Sequence, residues 1–201
     1  MSAYRWQVSV HEAGHVVLAL LAGIPVFAAT VRGDFSGSTD FLGAPWPSCV
    51  TSFGGIIAER LVLPPEEIDV RRSRIDMENA GDRAMRFIRW SESQRAARYL
   101  APPSGSCQPV KEPGADPEAV AFVAAFEKAR MPKREARAVR LLAHAERVAT
   151  MRLGANVVTV RTIAGPLADY GFLDGQQLLE LYVAGRRLQL EDDELWKGKR
   201  A

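Results

Sequence analysis

His11 and His15 lie four residues apart with Glu12 between them, in a segment whose apolar residues recur at three- and four-residue steps from Tyr4 to about Leu21. This H-E-x-x-H arrangement constrains the chain more than any other feature, because it specifies both a helix and one face of it. Residues four apart on a helix point the same way, so both imidazoles can reach one ion. Zinc takes nitrogen ligands at about 2.0–2.1 Å and in catalytic sites keeps one position for water. The ion lowers that water's pKa from about 15.7 to about 7 and polarises a carbonyl. Glu12, next to the first ligand, can accept the water's proton and pass it to a leaving amine. The plain alternative is two core-facing histidines bonded to backbone or carboxylate. Chance matches fall indifferently on loops and strands, whereas this one shares the apolar side of a helix with Val8 and Leu18.

The apolar run from Val16 to Val31 is shorter than the roughly 20 residues a spanning helix needs, and Gly23 and Pro25 interrupt it. His11, Glu12 and His15 stand just ahead of it, where a signal peptide carries little but positive charge. The run reads as the buried end of a helix and a following strand, so no membrane anchor and a cytoplasmic location are expected. With 201 residues, 47% of them hydrophobic, the chain can form one well-packed soluble domain. A net charge of +2 does not point to nucleic acid. Cys49 and Cys107 form no C-x-x-C pair and no disulfide framework, and read as reduced thiols.

After the first helix, Val26 to Arg32 has the β-branched and aromatic content of a strand. Gly33 to Pro47 reads as a loop with room for a second short strand. One helix is expected from about Ser48 to Leu63, stopped by Pro64-Pro65, and a long one from Arg74 to Leu100. Ala101 to Asp116 is a linker dense in Pro, Gly and Ser. Further helices are expected over 117–130, 133–153, 156–170 and 175–190, the last introduced by Asp174 as N-cap. The expected architecture is mainly α with a small β element: a single domain over 1–201, with a zinc-site half (1–100), the linker and a helical half (117–190).

A catalytic zinc needs a third protein ligand, which this spacing places outside the first helix. His144 is one choice; Asp76, Glu78 and Asp82, at the start of the long helix, are others, and periodicity does not rank them. Arg83, Arg86, Arg89, Arg95 and Arg98, with Arg130, Arg134, Arg137 and Arg140, alternate with acids and read as a solvated, ion-paired face rather than a nucleic-acid surface. Trp46 and Phe53 read as core aromatics.

The motifs together resemble the peptidase domain of the FtsH family of ATP-dependent zinc metalloproteases. His11 to His15 has that family's H-E-A-G-H form. Arg32-Gly33 with Gly37 and Thr39 is similar to R-G-x-x-x-G-x-T, Gly54 to Glu59 to G-G-x-x-A-E, and Asp76 to Ala80 to D-[LI]-x-x-A. The likeness is clearest over residues 8–90, with an echo at Leu167 to Gln176. It implies Asp76 as the third zinc ligand. Glu59 can then orient a ligand histidine through its second ring nitrogen. The strand at Thr30 and Val31, with Gly33 behind it, is the expected substrate-binding edge, to which an extended peptide adds as a strand.

The leading expectation is a zinc endopeptidase acting on flexible or unfolded polypeptides, with Glu12 activating water. Family members join this domain to an AAA ATPase and form rings, which implies a separate ATPase partner and a homo-oligomer here. The alternative of a different class is a non-catalytic, zinc-stabilised interaction module or adaptor for such an ATPase.

Overall fold

The computed structural model describes residues 3–33, 36–69, 71–100 and 117–198, with side chains except those of 95–100, 117–127 and 195–198. The linker expected at 101–116, with Cys107, lies outside the described residues. The histidine helix, α1 (Ala3–Leu21), is the axis of the packing: every residue from Val8 to Ala19 is buried. A helix covered on all sides is apolar on all sides, which accounts for the run of apolar residues after His15.

Three further helices and two strands complete the part that carries the motifs. Strand β1 (Val26–Val31) pairs antiparallel with β2 (Gly37–Phe41), Thr30 opposite Ser38 and Val31 opposite Gly37. Where one helix was expected from Ser48 to Leu63 there are two, α2 (Pro45–Thr51) and α3 (Gly54–Val62). α2 starts early because a proline at its first turn needs no hydrogen bond to its nitrogen. The break at Ser52-Phe53 frees α3 to turn onto α1, where Gly14 and Gly54 meet. A Cβ on Gly14 would lie 2.2 Å from the Gly54 carbonyl oxygen, so only glycine permits this crossing. Leu63 is extended ahead of Pro64, as a residue before proline prefers, and ends α3. The long helix α4 (Arg74–Leu100) follows.

α5 (Pro117–Gly154) is one helix, not the two expected on either side of Met131-Pro132. An internal proline costs about 3 kcal/mol. Here Pro132 is exposed, while the opposite side of α5 is held to α4 by Arg134, a buried side chain 2.8 Å from Glu92. The arginine stripe is thus not wholly solvated. α6 (Val157–Tyr170) lies along α1 and ends at Gly171, whose φ of 78° is left-handed.

Strand β3 (Phe172–Asp174), unforeseen in the sequence, pairs antiparallel with β1 through Ala28 to Thr30, giving the order β2-β1-β3. β1 is therefore the central strand, and the open edge expected at Thr30 and Val31 is filled. α7 (Gly175–Gly198) begins with reciprocal capping: Asp174 accepts from the Gln177 backbone N–H at 2.9 Å, and Gln177 accepts from that of Asp174 at 3.0 Å. Leu18 of α1, Ile88 of α4, Leu153 of α5, Leu167 of α6 and Leu178 of α7 share one buried cluster. The molecule is mainly helical with a small antiparallel sheet. Among the described residues, no helix is long and apolar enough to cross a membrane.

Candidate metal centre

α1 presents His11 and His15 on one side, and the first turn of α4 brings Asp76 to them. Oδ2 of Asp76 lies 2.8 Å from Nε2 of His11 and 3.3 Å from Nε2 of His15, and the two Nε2 atoms are 3.3 Å apart. A tetrahedral ion with bonds of about 2.0–2.1 Å spaces its ligand atoms about 3.3–3.4 Å apart. The triangle therefore has nearly the dimensions of three corners of such a tetrahedron. Among the described residues, these three alone form a group able to hold a metal.

The outer nitrogens decide which way the lone pairs point. Nδ1 of His15 is 2.8 Å from the carbonyl oxygen of Thr51, which can only accept, so Nδ1 carries the proton. Nδ1 of His11 is 2.8 Å from Oε1 of Glu59 and donates to it in the same way. Both Nε2 atoms are thereby turned toward one point, where two lone pairs and a carboxylate repel unless a positive charge lies among them. In the absence of a cation a proton takes that place. Burial alone would depress the pKa of His11, but hydrogen bonds to Asp76 and Glu59, with the charge of Glu12, raise it to about 9. Burial likewise opposes ionisation of Asp76, yet the neighbouring His15 and His11 hold its carboxyl well below the usual range. The donor set fits a divalent metal, with the hydrogen-bonded outer nitrogens that metal-bound imidazoles require.

α3 lies directly on the His11 ring: a Cβ at Gly55 would stand 2.2 Å from Cε1 of His11. Glu59, one turn on, consequently meets Nδ1. It is fully buried, not an exposed helix acid, and pairs with Arg72 at 3.1 Å. Arg72 in turn lies over the ring of Tyr4, 5.2 Å from its centroid. Glu12 is outside the ligand triangle but borders the same cleft, and its Oε2 accepts from the hydroxyl of Thr39 at 2.7 Å. A Cβ on Gly37 would stand 2.5 Å from its other oxygen, so β2 presses close over the carboxylate.

The other candidates lie elsewhere. His144 is exposed and stacks on Trp46, with ring centroids 5.6 Å apart. Glu78 is exposed and pairs with Arg74, Asp82 is exposed, and the Cys49 thiol donates to the Ala80 carbonyl. Phe53 is core. Thr30 and Val31 are one strand removed from the cleft, and Gly33 lies in the exposed turn beyond them. The strand that borders the cleft is β2, through Ser38, Thr39 and Phe41.

Several contributors escaped the sequence reading. Thr39 was visible only as part of a motif, and Arg83 only as one arginine of a stripe. The Thr51 carbonyl is main chain and leaves no trace in residue identity. No protein-family model and no curated protein matches the chain.

Proposed function

We propose that this chain is a zinc-dependent endopeptidase of the FtsH peptidase type, acting on flexible or unfolded polypeptides. One observation carries the reading: two buried imidazoles and a carboxylate converge on a point that needs a positive charge, with a further carboxylate, Glu12, in the same cleft. His11, His15 and Asp76 would hold the ion, leaving one coordination position open. When bound, zinc supplies Lewis acidity, which polarises a peptide carbonyl and acidifies water.

The remaining work falls to the chain itself. Glu12, oriented by the Thr39 hydroxyl, takes a proton from the attacking water and returns it to the leaving amine. The outer edge of β2, which pairs with no strand among the described residues, offers main-chain groups to an extended peptide beside Glu12. Folded substrates cannot adopt that extended form, so a separate ATPase is the partner this reading implies for them.

The test compares zinc content and casein cleavage in the wild type and Glu12→Gln. Both proteins should retain about one zinc per chain, while the variant loses at least about 100-fold in kcat/KM. Zinc in both with hydrolysis in neither would overturn the endopeptidase reading in favour of a zinc-stabilised interaction module. Absence of zinc from both would make the histidine pair structural.

A further inference from the structure

Arg83 stands on α4 seven residues beyond Asp76, with Asn79 between them, and all three border the cleft. Residues spaced i, i+3 and i+7 share a helix face, and seven residues advance about 10 Å along the axis. Arg83 thus stands on the same side of the helix as Asp76 and lines the same cleft. It is firmly placed: Nη1 donates to the Ser48 carbonyl at 3.0 Å and to the Ser52 hydroxyl, and the guanidinium carbon lies 5.2 Å above the Phe41 ring. These partners are neutral. Arg83 forms no ion pair among the described residues; burial works most strongly against its charge, and the nearby Asp76 carboxylate favours it.

A half-buried cation with no carboxylate in direct contact is costly to retain. α4 meets the core through Ala80, Ala84 and Ile88, and Nη1 of Arg83 adds a tie from α4 to α2 that uses one edge of the guanidinium. Asp76 turns its oxygen to the two imidazoles and acts on Arg83 through charge alone. With Nη1 anchored, Nε and Nη2 remain as donors, and a guanidinium edge with two parallel N–H groups matches a carboxylate.

We infer that Arg83 is a carboxylate-recognition residue, so that the cleft selects peptides bearing an acidic group next to the bond presented to Glu12. That group is an Asp or Glu side chain of the peptide. The inference rests on the endopeptidase reading for its placement of the peptide, and its test is arranged to separate the two.

Internally quenched peptides are prepared, identical except for Glu, Gln or Lys beside the scissile bond. The wild type should cleave the Glu peptide about tenfold faster than the Gln peptide in kcat/KM. Arg83→Gln should bring that ratio to about one, and Arg83→Glu should turn the preference toward Lys, a gain that misfolding cannot imitate. Binding is measured in parallel by fluorescence anisotropy on the zinc-loaded Glu12→Gln protein, with and without Arg83→Gln. Acidic peptides that bind Glu12→Gln tightly and the double variant about tenfold more weakly support the inference even where nothing is cleaved. Equal discrimination with and without Arg83, in cleavage or in binding, overturns it.

Discussion

In the proposed zinc site a proton and a metal ion would compete for the same point between His11, His15 and Asp76, and the competition is measurable. Because His11 is raised to about 9, the metal-free protein at neutral pH holds a proton that an incoming cation must displace. Zinc binding at pH 7 should therefore release about one proton from His11, read by calorimetry in buffers of differing ionisation enthalpy. Apparent affinity should rise about tenfold per pH unit toward pH 9 and then level off; a flat profile would mean that the site is not protonated. The same shift bears on stability. Since the folded pKa exceeds the unfolded value of 6.5, the contribution of His11 is complete below 6.5 and is lost as pH rises through about 9. The metal-free protein should accordingly lose melting temperature across that window, while the zinc-loaded protein, with no proton at stake, should not. Glu59 acts on the same imidazole from behind. Glu59→Ala removes the acceptor for Nδ1 and strands Arg72, and zinc affinity should fall by about 10–100-fold in a chelator competition. At this scale His11, Glu12 and His15 were legible because helix geometry alone relates them, and Asp76 because a motif marks it. Thr51 and Thr39 act through a carbonyl and a hydroxyl, and only the approach of α2 and β2 reveals what they meet.

Among the elements, the crossing of α1 and α3 is the joint on which the site depends. Gly14 and Gly54 let the two backbones touch, and Gly55 then rests on the His11 ring. Gly14→Ala would drive a methyl into backbone that cannot move aside, and should destabilise the fold by about 1–3 kcal/mol in urea titration. Gly81 provides the control. It sits within α4 with nothing near the position of a Cβ, so Gly81→Ala should raise stability by up to about 1 kcal/mol. Similar losses in both would show that the crossing is not what makes Gly14 necessary. Helix α1 could be read from its periodicity and strand β1 from its β-branched residues, whereas α4 was legible only as a long stretch free of proline. The break between α2 and α3 could not, since Ser52-Phe53 carries neither proline nor glycine and the interruption serves a contact with a distant helix. Pro132 misled in the other direction: its local cost is outweighed by packing such as the Arg134–Glu92 pair. β3 is three residues long, too short to show any period, and exists because β1 offers it a partner.

Over the whole molecule, the two parts of the chain are joined by more than the covalent connection. β1 takes its third strand from Phe172–Asp174, and α6 packs against α1. Residues 1–100 made alone would expose one edge of β1 and the apolar side of α1, and residues 117–201 would lack a partner for β3. Each fragment alone should aggregate or stay unfolded, whereas the two expressed together should recover a soluble complex with the zinc content of the intact chain. Failure of the mixed fragments to associate would mean that residues 101–116 do more than connect. The pairing of β3 with β1 thus makes the protein a candidate for splitting across two genes. Metal loading would then report when the two products meet, and one chain becomes a switchable pair.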